Sequence, residues 1–199
     1  MSPHVLEIGQ IIFVLGSAVI LHECSHGWVA LQFGDPTAKL MGRLTLNPIR
    51  HIDPIGTILI PVITKIALGF PFGWAKPVPV NFANLRNPKR DMIFVALAGP
   101  VMNIAIAVAA SLLLPFDRHF FSMMTMVNLM LAIFNLTPVP PLDGSRVVAG
   151  LLPQDLAKKY LYLEPFGFII VIVLLQTNAL DFLYLIVTGL AGFLGVSAG

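Results

Sequence analysis

Several apolar stretches in the chain are about as long as the hydrocarbon core of a membrane is thick. The first runs from Val5 to Leu21, and a helix needs about 20 mainly apolar residues to cross a bilayer. Further apolar stretches follow at residues 55–70, 91–114, 122–136, 161–175 and 180–197. We therefore predict an all-α polytopic membrane protein with about five to six membrane segments.

The composition supports a membrane protein and excludes other classes. Hydrophobic residues make up 57% of the 199 positions and charged residues 11%, whereas soluble domains carry about 25% charged residues. The net charge of +2 is too small to indicate nucleic acid as a partner. The first apolar stretch lacks a basic flank and runs into histidines, so we expect it to stay in the mature protein instead of being cleaved as a signal peptide.

The region between the first two long helices is predicted to be membrane-associated and partly extended. Residues 34–51 are polar and basic, with a possible short strand at 38–46, and residues 71–90 begin with alternating Pro and Val, which is typical of extended chain. Residues 55–70 are apolar but short and contain glycine and proline. They fit either a kinked transmembrane helix or a re-entrant segment that enters and leaves the membrane on one side.

Positive charge favours the re-entrant alternative. Segments 34–51, 71–90 and 153–160 carry three, four and two Lys/Arg residues, whereas the residues before the first helix carry none. Basic loops face the cytoplasm, and these counts agree with one topology only if residues 55–70 do not cross the membrane. We therefore expect the N-terminus outside and the three basic segments in the cytoplasm.

The end of the first apolar stretch carries a group of ionisable residues. His22 and His26 are four positions apart and share one face of a helix, with Glu23 beside them. This H-E-x-x-H arrangement offers two imidazoles to a zinc ion and a carboxylate to an attacking water. A polar face between packed helices is the simpler alternative, but ionisable residues inside a membrane segment indicate a functional site.

A catalytic zinc usually has three protein ligands and one open position, so a third ligand is needed. His4, His51 and His119 lie near predicted interfaces, and Asp143 follows a proline-rich break at residues 137–141. Asp143 is either the third ligand or a helix N-cap, and the spacing leaves both roles open.

The paired motifs resemble a known family. The sequence HECSH at residues 22–26, together with LDG at 142–144, resembles the site-2 protease family of intramembrane zinc metalloproteases. GPVMN at 99–103 and NLTP at 135–138 also resemble that family, and GWAKPVPV at 73–80 resembles its compact prokaryotic branch, which has no PDZ or CBS domain.

The resemblance implies a site and a reaction. His22, His26 and Asp143 would bind one Zn²⁺ per chain, and Glu23 would act as the general base. The protein would hydrolyse peptide bonds in or near transmembrane segments of membrane-protein substrates. It would be a multi-pass protein of a prokaryotic cell membrane, and the basic loops put the active site towards the cytoplasm.

The same resemblance suggests one transmembrane protease domain over residues 1–199. Its catalytic core would cover residues 5–152, with accessory helices at about 161–197. Asn103 and Asn135 are amides inside apolar helices. Each either forms an interhelical hydrogen bond or contacts the substrate or its oxyanion, and both readings stay open.

Two other functions fit the motifs. A metal transporter or storage protein predicts several metal sites along a path through the membrane. A catalytically inactive homologue that binds membrane proteins predicts a lost ligand or base, whereas His22, Glu23, His26 and Asp143 are all present. The sequence does not indicate an oligomeric state.

Overall fold

The computed structural model describes residues 3–69 and 71–196, and within these ranges the regular structure is helical, without a β-strand. Residues 70 and 197, the last positions of two predicted apolar stretches, lie outside the described residues. The α-helices are α1 (Pro3–Gln32), α2 (Thr37–Leu40), α3 (Ile60–Leu68), α4 (Pro88–Leu112), α5 (Arg118–Asn135), α6 (Asp143–Leu151), α7 (Gln154–Leu161), α8 (Gly167–Gln176) and α9 (Asp181–Phe193). Short 3₁₀ turns lie at Pro48–His51, Phe82–Asn84 and Glu164–Phe166, and a π-helical segment, Pro54–Leu59, precedes α3.

Three helical stretches in the described part of the chain are long and apolar enough to cross a membrane. They are His4–Gln32, Pro88–Leu112 and Gln154–Gln176, and two shorter apolar helical stretches are Pro54–Leu68 and Asp181–Phe193. The all-helical membrane architecture is therefore confirmed. The number of five to six membrane segments stays a prediction.

The core is built where α4 packs between α1, α5 and α6. Small residues allow these helices to approach closely: Ala18 in α1, Ala107 in α4 and Ala132 in α5 are fully buried. Large apolar side chains such as Ile12 and Phe13 are more than half exposed, as expected for helix faces that contact lipid.

The predicted strand at residues 38–46 is wrong. The chain forms α2 at Thr37–Leu40 and then turns at Gly42, whose φ is +61°. The cause is Asp35, a fully buried carboxylate that accepts a 3.1 Å hydrogen bond from Thr37 N at the start of α2. Its other donors are the Thr37 hydroxyl, Asn81 N at 2.7 Å and Asn84 Nδ2 at 3.0 Å.

Residues 54–69 and 71–76 form a hairpin with one helical and one non-helical arm, hereafter the 54–76 hairpin. The π-helical segment and α3 lead away from the turn at Pro48–His51, and the extended chain after residue 70 runs back along them. Residues 71–81 form neither helix nor strand, and the alternate residues Phe72 and Trp74 both donate their N–H to the first arm, a spacing that agrees with the extended chain predicted for residues 73–80. Hydrogen bonds that join the two arms include Phe72 N to Thr64 Oγ1 at 2.8 Å, Trp74 N to the Gly56 carbonyl at 3.0 Å and Thr57 Oγ1 to the Trp74 carbonyl at 2.9 Å. At the base of the hairpin, Lys76 N donates to the His51 carbonyl at 2.9 Å.

The second half of the chain brings Asp143 to the core. The expected break lies between the end of α5 at Asn135 and the start of α6 at Asp143, and α6 packs against α4. Segment 153–160, counted from the sequence as a basic loop, instead contributes most of the helix α7. An acidic residue, Asp155, in its first turn and Lys158 and Lys159 in its last turn stabilise α7 through the helix dipole.

Asp35 should contribute to stability in a pH-dependent way. Burial raises the pKa of this carboxyl, but its hydrogen bonds from Thr37, Asn84 and Asn81 lower the pKa further, so the net pKa lies below its ordinary value of 3.8. The contribution is therefore fully present above that ordinary value and is lost as the pH falls through the lower folded-state pKa. We expect Asp35→Asn to lower the free energy of unfolding by about 2 kcal/mol at pH 7.

Unfolding of the detergent-solubilised protein between pH 7 and pH 3 measures this effect. The difference between wild type and Asp35→Asn should narrow at the acidic end, and the exposed Asp155→Asn is the control. An equal loss for both variants, or a difference that does not change with pH, would contradict the assigned role.

Candidate metal centre

Three side chains from distant parts of the sequence converge between α1, α4 and α6. His22 Nε2 lies 3.0 Å from His26 Nε2, and Asp143 Oδ2 lies 3.1 Å from the former and 3.3 Å from the latter. Both histidines are buried, and Asp143 is partly buried. Among the described residues, these three are the group of His, Cys, Asp or Glu side chains whose spacing fits a metal ion.

The opposite ring nitrogens of the two histidines fix their tautomers. His26 Nδ1 lies 2.7 Å from the Val95 carbonyl, which can only accept a hydrogen bond. His22 Nδ1 lies 2.6 Å from Asn103 Oδ1. Each imidazole therefore carries its proton on Nδ1 when neutral and turns the lone pair of Nε2 towards Asp143.

The amide of Asn103 is itself oriented by neighbours. Asn103 is fully buried, and its Nδ2 donates to the Ala18 carbonyl at 3.2 Å and to Asn128 Oδ1 at 2.8 Å. Asn128 Nδ2 in turn donates to the Met124 carbonyl at 2.9 Å. This chain of bonds leaves Asn103 Oδ1 facing His22 as an acceptor.

A cation fits this donor set. Two imidazole lone pairs and a carboxylate oxygen meet with no hydrogen between them in the neutral tautomers, and Asp143 Oδ2 is buried without a hydrogen-bond donor. Ligands of a tetrahedral zinc at about 2.0–2.1 Å are about 3.3–3.4 Å apart, and the three observed separations of 3.0, 3.1 and 3.3 Å lie close to this range. The residues present therefore match a zinc ion with one coordination position left open.

Gly99 of α4 borders the cluster directly. A Cβ atom at this position would lie 2.4 Å from His26 Nε2 and 2.5 Å from His22 Nε2, which is far inside the van der Waals distance. Only glycine leaves room for both imidazoles here, and an added methyl group would occupy space beside the metal-binding atoms.

Glu23 lies in the same cavity as the cluster. The cavity measures about 740 Å³ and is lined by His22, Glu23, His26 and Asp143. Glu23 Oε2 accepts a 2.8 Å hydrogen bond from Val78 N in the extended segment after the 54–76 hairpin. The Glu23 carboxylate thus accompanies two imidazoles and the carboxylate of Asp143, a combination of side chains typical of hydrolytic metal sites.

Asn135 and a charged pair complete the polar part of the cavity wall. Asn135 Nδ2 donates to the Leu131 carbonyl at 2.9 Å and the residue lines the cavity. Arg146 forms an ion pair with Glu164, and its guanidinium stacks on the Phe82 ring 5.3 Å from the ring centre. The rest of the wall is mostly apolar and aromatic.

The other histidines considered from the sequence lie away from the cluster. His51 is buried and its Nε2 bonds the Thr45 carbonyl at 2.8 Å, while His4 and His119 are exposed. Sequence reasoning missed Val95 and Asn128, which orient the two imidazoles directly or through Asn103. A backbone carbonyl such as that of Val95 has no sequence signature. For Asn128, the available signal was an amide side chain within the apolar stretch 122–136.

Comparison with known proteins agrees with these observations. The sequence model of peptidase family M50 matches residues 117–175. The chain is 42% identical over 172 residues to "Putative zinc metalloprotease YwhC" of Bacillus subtilis. This alignment covers 79% of this chain and 75% of the relative. It is 31% identical over 190 residues to "Putative zinc metalloprotease Rip2" of Mycolicibacterium smegmatis, covering 87% of this chain and 70% of the relative.

A more distant relative is archaeal. "Zinc metalloprotease MJ0392" of Methanocaldococcus jannaschii is 26% identical over 153 residues, covering 74% of this chain and 34% of that protein. No solved structure is significantly similar to the chain. The extent and identity of the bacterial matches show that the chain belongs to peptidase family M50, the site-2 protease family.

Proposed function

We propose that this protein is an intramembrane zinc metalloprotease in which His22, His26 and Asp143 hold one Zn²⁺ ion. The observation that carries the proposal is the convergence of three unprotonated ligand atoms within 3.3 Å of one another. In a buried site these lone pairs repel one another unless a cation lies between them. The names of the relatives, which are zinc metalloproteases, support zinc as that cation.

Glu23 is the general base of the proposed reaction. When bound, zinc supplies Lewis acidity that polarises a peptide carbonyl and acidifies a water molecule. Glu23 takes the proton of the attacking water and passes it to the leaving amine. Its Oε2 atom is held by Val78 N–H, and Oε1 forms no hydrogen bond with a described residue, so Oε1 can accept the proton.

The two asparagines have different tasks in this proposal. Asn135 lines the cavity and uses one of its two amide hydrogens on the Leu131 carbonyl, so the other can donate to the oxyanion of the substrate. Asn103 was predicted for the same task, but it is fully buried with its oxygen on His22 and its amide hydrogens on Ala18 and Asn128. Its geometry favours a role as a positioning residue that fixes the His22 ring.

The substrate is a locally unwound segment of a transmembrane protein. The cavity is about 740 Å³, and aromatic and aliphatic residues line it together with the polar cluster. Residues 73–75 and 77–80 line it, and the backbone groups of Ala75 and Val80, which form no hydrogen bond with a described residue, can pair with an extended substrate strand. Residues 38–46 contain α2 and a turn and offer no second strand for such pairing.

The 54–76 hairpin is re-entrant in this proposal. The hydrogen bond from Lys76 N to the His51 carbonyl holds its two ends together, so both ends lie on one side of the membrane. The basic segments 34–51, 71–90 and 153–160 then share that side. Basic loops indicate the cytoplasm, which puts the active site towards the cytoplasmic face of a prokaryotic cell membrane.

The chain acts as one protease domain. Ligands come from α1 and α6, their orienting groups from α4, and part of the cavity wall from the start of α8, so residues 5–152 form the catalytic core and the helices after 161 cover it. A metal transporter is less well supported, because the described residues contain a single cluster with metal-ligand spacing instead of several along a path.

The proposed role of Glu23 predicts that Glu23→Gln abolishes turnover and keeps zinc. The variant retains the shape of the side chain and loses the proton acceptor, so kcat should fall by about 10²–10⁴-fold. Zinc content of the purified protein and cleavage of a panel of co-reconstituted single-span membrane proteins measure the two effects. Unchanged cleavage, or zinc lost together with activity, would contradict the assignment.

Gly99→Ala should weaken metal binding without touching a proposed ligand. The new methyl group would overlap both Nε2 atoms, and the helices must shift to relieve it, so we expect zinc affinity to fall about tenfold or more. Competition with a zinc chelator measures the change. Gly16→Ala in α1 is the matched control, because a Cβ there meets nothing within 4 Å; equal affinities of the two variants would show that the cluster does not bind zinc as described.

A further inference from the structure

Arg43 is a buried cation without a carboxylate partner. It follows α2 in the chain and is only 8% exposed. Across the described residues, no Asp or Glu oxygen lies within ion-pair distance of its guanidinium, and its Nε has no hydrogen-bond partner. Burial of a charge is costly unless it is paired and hydrogen-bonded, so the bonds that Arg43 does make call for an explanation.

Both of those bonds go to the extended segment beside the active site. Arg43 Nη2 donates to the Lys76 carbonyl at 3.0 Å and to the Pro77 carbonyl at 3.2 Å. The next residue, Val78, donates its N–H to Glu23 Oε2 at 2.8 Å. A planar guanidinium holds its partners in a fixed geometry, so Arg43 fixes the backbone immediately before the donor that contacts Glu23.

The sequence around Val78 offers a single backbone N–H donor to Glu23. Val78 lies between Pro77 and Pro79, and proline has no backbone N–H and a fixed φ. Val78 therefore supplies the one backbone N–H of residues 77–79. If the segment moved, no neighbouring amide could replace this bond to Glu23.

We propose that Arg43 is a positioning residue for peptide hydrolysis and that it acts on Glu23 through the Val78 N–H. By holding the carbonyls of Lys76 and Pro77, it keeps the Val78 donor on Glu23 Oε2. That bond fixes the carboxylate with Oε1 directed to the proton that it accepts. The inference rests on the proposed role of Glu23 as the base.

A purely structural role for the segment is the alternative. Val78 is buried, and its Cγ1 atom lies against Gly27 of α1, where an added Cβ would come within 2.6 Å. Removing side-chain packing would then have the same effect as removing the N–H donor. Val78→Ala and Val78→Pro separate these effects, because alanine keeps the donor and proline removes it in a chain whose extended conformation suits proline.

The test compares Arg43→Met and Val78→Pro with two matched controls, Arg50→Met and Val78→Ala. Arg50 is an exposed cation in the same connection between α1 and the 54–76 hairpin. The probe is a single-span membrane protein that wild type cleaves after co-reconstitution in liposomes, and kcat, KM, zinc content and thermal unfolding are measured for each variant. We expect kcat to fall about tenfold to a hundredfold in Arg43→Met and Val78→Pro, with a smaller change in KM and an unchanged zinc content. Arg50→Met should stay close to wild type, and Val78→Ala should lose much less kcat than Val78→Pro.

Coupling between the two sites gives a readout that packing alone would not move. Val78→Pro removes the Val78 donor to Glu23 directly, and Arg43→Met disturbs the same contact by freeing the segment before it. The double variant should therefore lose no more kcat than the single variant with the larger loss. Arg43→Lys keeps the charge and a donor and should recover part of the activity.

The proposal is overturned if the kcat losses of the two single variants multiply in the double variant, or if Val78→Ala loses as much kcat as Val78→Pro. It is also overturned if zinc content falls in step with kcat. Wild-type kcat in Arg43→Met also overturns it. If the proposed role of Glu23 as the general base is itself wrong, the result is different, because Glu23→Gln would then cleave as fast as wild type.

Discussion

The mutual repulsion of three lone pairs is the constraint on which the structure depends. His22 Nε2, His26 Nε2 and Asp143 Oδ2 meet with no hydrogen between them, because the Nδ1 atoms of both rings face acceptors. Without a cation, such an arrangement inside a mostly apolar helix bundle would be unfavourable. With zinc, the same atoms become a stable three-ligand site that leaves one coordination position for chemistry.

The surrounding helices are arranged to keep those atoms in place. Asn103 and the Val95 carbonyl, both on α4, orient the rings of α1, and Gly99 on α4 gives them room. The extended segment after the 54–76 hairpin adds the Val78 N–H to Glu23. The central helix α4 thus orients the proposed zinc ligands, and the extended segment holds the proposed base Glu23. In this proposal, metal binding and proton transfer depend on different elements of the fold.

Local sequence patterns predicted those structural features that depend on residues close together in the chain. The four-residue spacing of His22 and His26 placed both rings on one face of α1, and the apolar stretches predicted the helical membrane architecture. The position of α2 depended on bonds from Asp35 to Asn81 and Asn84, which lie more than 40 residues away in sequence, so the local pattern of 38–46 suggested a strand. Spacing alone left Asp143 between ligand and N-cap, and it needed the tertiary packing of α6 against α4 to enter the cluster.

The most direct test of the central claim is X-ray absorption spectroscopy at the zinc edge of the purified membrane protein. We expect one zinc per chain with about four nitrogen or oxygen neighbours at about 2.0–2.1 Å, including the scattering of two imidazole rings. Cys24, which here donates its thiol to the Thr45 carbonyl at 3.2 Å, should not contribute. A sulfur neighbour at about 2.3 Å, a single imidazole, or no bound zinc would contradict the account.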